Sequence, residues 1–160
     1  MSKIRVGFGF DVHQLKTGHP FVLGGVTLDH PSGAFGHSDA DVLVHAICDA
    51  LLGAANLRDI GYHFSNKDER WNGISSLILL QEVVRLLAGK GWGIGNIDAM
   101  VCLEEPKINP HIPAMKNRIA HAAGITEDDI SIKATTNEKL GFIGRQEGVV
   151  AYAVCLLEKS

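Results

Sequence analysis

The sequence predicts an α+β fold in which a mixed β-sheet packs against about three helices in a single compact domain. Strand and helix patterns are mixed along the chain without the strict alternation that builds an all-parallel sheet. The last apolar segment, 148–157, carries apolar residues on both faces, so both faces should be covered, by helices or by another subunit. Because 160 residues suffice for one hydrophobic core, residues 1–160 are predicted to form a single domain.

The predicted strands are short apolar or alternating runs that end in turn residues. The first, at 3–11, alternates apolar and polar residues and ends at Asp11-Val12-His13. The second is interrupted by glycines and is followed by a loop at 29–37. The four predicted strands after the first cover residues 21–28, 97–103, 130–135 and 148–157.

Three segments repeat apolar residues at spacings of three and four, which predicts helices. Ser38 and Asp41 resemble a capping box at the start of the first helix. Glycines follow the second and third segments and are expected to end them. The predicted helices cover about 38–55, 74–89 and 111–123.

The composition is that of a globular protein, with 46% hydrophobic and 21% charged residues. A formal net charge of -3 provides no broad basic surface, so we expect no nucleic-acid partner and no membrane partner. Cys48, Cys102 and Cys155 are far apart with apolar neighbours, which favours buried reduced thiols and a reducing cytoplasm. The sequence has no apolar run of the ~20 residues that a membrane span needs, and its N-terminus lacks a signal-peptide pattern.

Acidic and histidine residues form a candidate metal site. Residues two apart on a strand point to the same side, so Asp11 and His13 present an oxygen and a nitrogen together. His45 lies between Asp41 and Asp49 on one helical stripe, where a carboxylate one turn away is expected to hold one ring nitrogen. One aspartate and two histidines suit zinc with a fourth position open to substrate, although manganese or iron would accept the same ligands.

Two loops carry groups that suit phosphate. The segment 133–145 combines hydroxyls with Glu138, which can hold a hard divalent ion, and Arg145, which can bind phosphate through two N–H groups. His37 and Ser38 lie at the predicted start of the first helix, where backbone N–H groups favour anions. The same residues also suit a solvated turn and an ordinary helix cap, so these two assignments stay open at this point.

Taken together, the motifs resemble one family over nearly the whole chain, the 2-C-methyl-D-erythritol 2,4-cyclodiphosphate synthases of the non-mevalonate isoprenoid pathway. The resemblance rests on Asp11-Val12-His13, Gly36-His37-Ser38-Asp39-Ala40-Asp41 leading to His45, Asp59-Ile60-Gly61, Pro106-Lys107 and Lys133-Ala134-Thr135-Thr136-Asn137-Glu138-Lys139-Leu140-Gly141-Phe142.

The resemblance implies a homotrimer with active sites between neighbouring subunits, and it implies the reaction. The 2-phosphate of 4-diphosphocytidyl-2-C-methyl-D-erythritol 2-phosphate would attack the β-phosphorus of the same molecule and release CMP. The product would be 2-C-methyl-D-erythritol 2,4-cyclodiphosphate. An isoprenoid diphosphate is a further possible ligand near the three-fold axis. The compartment implied is the bacterial cytoplasm, or the plastid stroma if a transit peptide was removed.

The resemblance also assigns roles to residues. Zinc or another divalent transition metal would bind Asp11, His13 and His45, and Glu138 would hold Mg²⁺ or Mn²⁺ that bridges substrate phosphates. His37 and Thr136 would be catalytic, because they would stabilise charge at the reacting phosphates. The implied substrate contacts are Asp11, Val12, His13, His37, Ser38, Asp59, Ile60, Gly61, Phe64, Ser65, Asn66, Lys67, Asp68, Leu103, Glu104, Glu105, Pro106, Lys107, Ile108, Asn109, Ala134, Thr135, Thr136, Asn137, Glu138, Phe142 and Arg145.

One segment departs from the family, and two alternative functions use the same residues. The family often has Pro-Asp-Thr-Asp where this chain has Ser65-Asn66-Lys67-Asp68, and the chain resembles the stand-alone form because it has no nucleotidyltransferase domain. A zinc hydrolase would need a base such as Glu138 or Asp49 to activate water. A non-catalytic trimer would bind isoprenoid diphosphates through Arg145 and an apolar channel.

Overall fold

The computed structural model describes residues 3–65 and 67–159 as one α+β domain with a mixed five-stranded sheet in the order β4-β1-β7-β5-β6. Only β5 and β6 run parallel, and a separate hairpin joins β2 to β3. The strands are β1 Ile4–Thr17, β2 Phe21–Leu23, β3 Val26–Leu28, β4 Ser32–Phe35, β5 Trp92–Cys102, β6 Ile130–Thr135 and β7 Gly148–Lys159. The α-helices are α1 Val42–Ala54, α2 Ile60–His63, α3 Ser76–Gly89, α4 Ile112–Ala123 and α5 Gly141–Gly144.

The sheet and the three long helices agree with the prediction, but the boundaries and the number of elements differ. The predicted strand at 21–28 is a hairpin, because Gly24 and Gly25 take φ of +58° and +73° and turn the chain. Strand β4 lies inside the predicted loop 29–37. The prediction also lacked two one-turn helices, α2 and α5, so the described residues form five α-helices in place of about three.

Strand β1 is longer than predicted and changes its partner along its length. It pairs antiparallel with β7 from Ile4 to Gln14 and with β4 from Gln14 to Thr17. Asp11 and His13 therefore lie inside the strand, close to the change of partner, and not beyond its end. The predicted alternation is preserved, so both side chains leave the same face of the sheet.

Helix α1 begins one turn later than predicted, since Asp41 and not Ser38 is its N-cap. The Asp41 carboxylate accepts a hydrogen bond from the backbone N–H of Val44 at 3.1 Å. The same carboxylate accepts from the N–H groups of Gly24 and Gly25 at 2.9 and 2.6 Å. Asp41 is fully buried and ties the β2–β3 turn to the start of α1. The predicted capping box is therefore wrong.

Helix α1 lies directly on strand β1 because two glycines leave room for its backbone. A Cβ atom on Gly7 would be 1.9 Å from the carbonyl oxygen of Ala50, and one on Gly9 would be 1.9 Å from that of Ala46. Side chains at these positions would push the helix away from the sheet. The close contact brings the N-terminal half of α1 over the part of β1 that carries Asp11 and His13.

In the single chain, one face of β7 is covered and the other carries exposed side chains. Helix α1 covers the face that carries Val149, Ala151, Ala153, Cys155 and Leu157. On the opposite face, Tyr152 and Val154 are exposed, as are Ile4, Val6, Phe8 and Phe10 of the neighbouring β1. The prediction of two covered faces is thus met within the chain on one side only. Among residues 3–65 and 67–159, none of the helices combines the length and apolar character of a membrane span.

Candidate metal centre and the adjoining clefts

Asp11, His13 and His45 converge as the sequence predicted. Each offers one ligand atom, and the three atoms lie within 4.8 Å of one another. The Nδ1 atoms of His13 and His45 are 3.0 and 3.1 Å from the same oxygen, Oδ2 of Asp11. Nδ1 of His13 is buried but is not aligned for a hydrogen bond with any group in the described ranges. A carboxylate with two imidazoles, one of them lacking a partner, is a donor set that fits a divalent metal ion.

The backbone positions these ligands through close contacts. The odd-numbered residues of β1 face α1, so Asp11 and His13 follow Gly9 along that face. His45 lies on the first turn of α1, next to Ala46, whose carbonyl group contacts Gly9. On the other side, a Cβ atom on Gly36 would lie 2.8 Å from Nε2 of His13. Glycine at 36 therefore lets the loop before α1 close over the His13 ring.

The charges of the centre favour an aspartate–imidazolium pair when metal is absent. Burial tends to raise the pKa of Asp11, but attraction to the His13 and His45 imidazoles holds it below its ordinary value. Burial tends to lower the pKa of His45, but the hydrogen bond and the charge of Asp11 raise it above its ordinary value. A metal ion that bound Nδ1 of His45 would therefore take the place of a proton.

The second nitrogen of His45 is held by hydroxyl groups, which the sequence analysis did not predict. Nε2 of His45 lies 2.8 Å from Oγ of Ser76 and 3.1 Å from Oγ of Ser38. The carboxylate of Asp49 accepts instead from the backbone N–H of Ile60 at 2.7 Å, and Asp41 caps the helix. The expectation that Asp41 or Asp49 holds a ring nitrogen of His45 is therefore wrong.

A cleft of about 310 Å³ opens beside the three ligands. Nε2 of His37 is buried in this region without a hydrogen-bond partner among the described residues, which suits a polar ligand. Trp71 and Leu79 also line the cleft, although no motif pointed to them. The remaining lining residues are Asp11, Val12, His13, Gly36, His37, Ser38, His45, Ile60, Gly61 and Phe64.

Only part of the neighbouring polar segment, residues 59–68, lines this cleft. Asp59 caps α2 by accepting from the backbone N–H of Tyr62 at 2.9 Å, and it does not line the cleft. Asp68 forms an ion pair with Arg70, and Ser65 and Lys67 are exposed. Asn66, a predicted substrate contact, lies outside the described residues. The single chain therefore gathers Ile60, Gly61 and Phe64 at the cleft, but not the rest of this predicted group.

A second cleft of about 240 Å³ gathers most of the other predicted substrate contacts. It is lined by Leu103, Glu104, Pro106, Lys107, Ile108, Asn109, Ala134, Thr135 and Thr136. Glu105 is exposed and does not line it. The Glu104 carboxylate accepts from the backbone N–H groups of Asn137 and Lys139, each at 3.0 Å. Glu104 thus fixes the loop that carries Glu138.

Thr136, Glu138 and Arg145 do not meet the three metal ligands in the single chain. Glu138 is exposed and lies outside the cluster of Asp11, His13 and His45. Thr136 follows Thr135, the last residue of β6, and is also exposed. Arg145 is exposed, and its guanidinium forms an ion pair with Glu147 at 2.9 Å.

Comparison with known proteins gives one consistent family. Residues 4–158 match the model of the YgbB family. The chain is 63% identical over 157 residues to the 2-C-methyl-D-erythritol 2,4-cyclodiphosphate synthase of Cytophaga hutchinsonii, which covers 98% of this chain and 99% of that protein.

Two solved structures have the same fold. The IspF protein of Plasmodium falciparum in a CDP complex has a TM-score of 0.87 and 34% sequence identity, over 98% of this chain and 97% of that chain. The bifunctional IspDF of Campylobacter jejuni has a TM-score of 0.96 and 39% identity. All of this chain aligns there, but it spans only 43% of the bifunctional protein. The chain therefore belongs to the YgbB family of 2-C-methyl-D-erythritol 2,4-cyclodiphosphate synthases, isoprenoid-synthesis enzymes that are lyases acting on phosphorus–oxygen bonds.

Proposed function

We propose that residues 1–160 form a catalytic domain that converts 4-diphosphocytidyl-2-C-methyl-D-erythritol 2-phosphate to 2-C-methyl-D-erythritol 2,4-cyclodiphosphate in the non-mevalonate isoprenoid pathway. The observation that carries the proposal is the convergence of Asp11, His13 and His45 beside an open cleft. The likeness to cyclodiphosphate synthases along almost the full chain supports it.

The proposed metal at Asp11, His13 and His45 is zinc, which commonly binds carboxylate oxygens and imidazole nitrogens. A divalent cation there would supply positive charge that offsets the repulsion between two phosphates brought together. A second ion, Mg²⁺ or Mn²⁺, is assigned to Glu138 and the substrate phosphates, because a carboxylate suits a hard cation that keeps several oxygen ligands. The exposed position of Glu138 leaves it free to contribute to such an ion.

In the proposed reaction, an oxygen of the 2-phosphate forms a bond to the β-phosphorus. The bond from that phosphorus to the oxygen bridging the α- and β-phosphates breaks, and CMP leaves with the bonding electrons. The nucleophile is part of the substrate and is already ionised near neutral pH, so the protein needs neither a side-chain nucleophile nor a strong base. The protein acts mainly by folding the substrate over and by stabilising the developing charge.

Two polar side chains are proposed to contact the reacting phosphates. His37 has a buried Nε2 without a partner among the described residues, so a phosphate oxygen would complete its hydrogen bonding. Thr136 presents a hydroxyl at the end of the second cleft and accepts from the N–H of Glu138 at 3.4 Å. We assign both residues the role of stabilising negative charge. Ser38, Ile60 and Gly61 would line the erythritol part in the first cleft.

The cytidine part is assigned to the second cleft. Leu103 and Ile108 are buried and give this cleft an apolar floor, while the main chain at 134–136 follows its rim. An apolar floor with backbone polar groups suits a flat base. The CDP complex of the Plasmodium falciparum relative supports a cytidine nucleotide as ligand.

The sheet register supports a site shared between subunits. In the sheet register, Thr135 on β6 pairs with Cys102 on β5. Cys102 pairs with Val150 on β7, and Val150 pairs with Val12 on β1. Three strand spacings separate Thr135 from Val12, or roughly 14 Å. The two clefts also have no lining residue in common. We propose a homotrimer in which the first cleft of one subunit and the second cleft of its neighbour form one active site.

An exposed apolar face supplies a surface for this assembly. Ile4, Val6 and Phe8 on β1 are 60–66% exposed, and Tyr152 and Val154 lie beside them on β7. Contiguous apolar side chains on a sheet face mark a protein interface. Near the proposed three-fold axis, Phe142 and Arg145 are assigned to an isoprenoid diphosphate. The proposed compartment is the bacterial cytoplasm, or the plastid stroma after removal of a transit peptide.

The proposed activity is tested by incubating the protein with the cytidine substrate, zinc and magnesium, and by following the products with phosphorus NMR. The expected products are CMP and a cyclic diphosphate, in equal amounts. A ring-opened phosphate product would contradict the cyclisation and support hydrolysis instead. No CMP release by folded, metal-loaded protein would contradict an enzymatic role. Sedimentation of the same sample tests the trimer, which a monomer at assay concentration would exclude.

A further inference from the structure

A partly buried series of hydrogen bonds links Asp39 through Ser76 to His45. Ser76 is the first residue of α3, and its side chain is fully buried. Its hydroxyl donates to Oδ1 of Asp39, and its backbone N–H donates to Oδ2 of the same carboxylate at 3.0 Å. Its Oγ also lies 2.8 Å from Nε2 of His45. The start of α3 is thereby joined to the loop before α1 and to one of the metal ligands.

The number of hydrogens on these groups determines which group donates and which accepts in each hydrogen bond. A carboxylate only accepts hydrogen bonds, and a serine hydroxyl carries one hydrogen. Since Ser76 gives that hydrogen to Asp39, its oxygen can only accept from the imidazole of His45. Nε2 of His45 must therefore carry a hydrogen. Oγ of Ser38 lies farther from Nε2, at 3.1 Å, and is available as a second acceptor.

We propose that Asp39 and Ser76 are positioning residues for the metal centre. They keep the hydrogen on Nε2, so that a cation displaces the hydrogen of Nδ1, the nitrogen that faces Asp11, and binds there. They also hold the plane of the His45 ring. This inference rests on the proposed metal function of Asp11, His13 and His45. It gives a reason for a hydroxyl group at a fully buried position.

Two substitutions act on this series of hydrogen bonds in different ways. Ser76→Ala removes the nearer of the two acceptors and leaves only Oγ of Ser38 to hold the hydrogen on Nε2, so zinc should bind about 10–100-fold more weakly. Asp39→Asn leaves one acceptor oxygen for three donors, since Oδ1 accepts from the Ser76 hydroxyl and the Asp41 N–H, and Oδ2 accepts from the Ser76 N–H. With the NH₂ at the position of Oδ1, the amide donates to Ser76 and the hydroxyl hydrogen turns toward Nε2 of His45. That orientation favours the tautomer with hydrogen on Nδ1, so zinc binding should be weaker than in the wild type.

The chain offers a matched control at the adjacent position. Ser75 is the N-cap residue of α3 but makes no side-chain capping hydrogen bond. Ser75→Ala therefore removes the same hydroxyl group one residue away without touching His45. Its zinc affinity should equal that of the wild-type protein.

The first experiment measures zinc affinity by competition with a chromophoric chelator for the wild type and the three variants. Circular dichroism of each sample checks the fold. Weaker binding by Ser76→Ala and Asp39→Asn, with Ser75→Ala unchanged, is the expected result. Equal affinity of Ser76→Ala and wild type would overturn the inference and leave the metal centre intact. A wild type that bound no zinc would overturn the proposed metal centre itself.

A second experiment needs no variant, so it decides the matter even if Ser76→Ala does not fold. Nitrogen-15 NMR of histidine-labelled, zinc-loaded wild type reports which ring nitrogen of His45 carries hydrogen. We expect hydrogen on Nε2 and zinc on Nδ1. Zinc on Nε2 would contradict the positioning role while confirming a metal centre.

Discussion

Nδ1 of His45 lies 3.1 Å from Oδ2 of Asp11, although 34 positions separate the two residues in the sequence. The contact depends on Gly7 and Gly9, which let α1 rest on the backbone of β1. The candidate metal centre therefore depends on the packing of α1 against β1, and changes in that packing should appear in metal binding as well as in stability.

Replacement of the shared ligand is the simplest test of the centre. Asp11→Asn keeps the shape of the side chain but removes the charge that two imidazoles face. We expect zinc content and activity to fall by more than the roughly 10–100-fold typical of an outer-shell change, with the fold retained. Metal analysis by mass spectrometry beside circular dichroism measures both. Asp29→Asn, on the exposed surface, is the control, and full zinc retention by Asp11→Asn would refute the ligand assignment.

The helix–strand contact is tested by a pair of glycine substitutions. In Gly9→Ala the new methyl group meets the carbonyl oxygen of Ala46, which should lower the free energy of unfolding by about 1–3 kcal/mol or more. Moving α1 away should also separate His45 from Asp11 and weaken zinc binding. Gly53→Ala, where a Cβ meets open space on the same helix, should add about 0.5–1 kcal/mol and leave zinc affinity unchanged. Urea unfolding and zinc titration measure the two effects, and similar behaviour of both variants would exclude this role of Gly9.

Glu104 should act on the loop that carries Glu138 and not on the three-ligand centre. Glu104→Gln leaves one oxygen for the two backbone N–H groups of Asn137 and Lys139, so one of them loses its acceptor. The loss should cost about 0.5–1.5 kcal/mol locally, since the Asn137 N–H is only partly buried and the Lys139 N–H is exposed to water.

Hydrogen exchange provides the measurement for Glu104. The amides of Asn137 and Lys139 should exchange faster in Glu104→Gln, and magnesium-dependent activity should fall while zinc content stays unchanged. Glu105→Gln, at the exposed neighbouring position, is the matched control. Unchanged exchange at both amides would show that Glu104 does not hold the loop.

The raised pKa of Asp49 predicts that the stability of the metal-free protein depends on pH. Burial, with the nearby charges of Asp59 and Asp11, raises the pKa of Asp49 above its ordinary value, although the N–H of Ile60 opposes the shift. The folded chain therefore favours protonated Asp49. That stabilisation is complete below the unfolded-state pKa and is lost as the pH rises through the folded-state pKa.

Asp49→Asn imitates the protonated form at every pH and keeps an oxygen for the N–H of Ile60. It should be more stable than the wild type at neutral pH, and the difference should vanish as the pH falls below the unfolded-state pKa. Thermal unfolding at a series of pH values, with chelator present, measures this difference. A variant that is less stable than the wild type at neutral pH would show that the charged form of Asp49 contributes to folding.

The sequence predicted the ligands because each of them follows a local rule. The period of two in β1 places Asp11 and His13 on one face, and the helical period places His45 on the polar side of α1. Their convergence, by contrast, depends on Gly7 and Gly9, whose role as a contact surface is visible only when the helix is in place.

The residues that were missed act through contacts between distant segments. Ser76 follows another serine at the start of a helix, and nothing nearby indicates that its hydroxyl meets His45, 31 positions earlier. The sequence placed Asp41 inside the first helix, three residues after a predicted N-cap at Ser38. In the structure Asp41 is the N-cap of α1, and its carboxylate also accepts from the N–H groups of Gly24 and Gly25. Strand β4 is short and lies at the edge of the sheet, so it shows no period that the sequence could reveal.

The most direct test of the account is anomalous diffraction from crystals grown with zinc, measured on both sides of the zinc absorption edge. We expect one strong peak bound by Asp11, His13 and His45, with ligand distances of about 2.0–2.2 Å. A folded, zinc-soaked protein with no anomalous peak among these three side chains would contradict it.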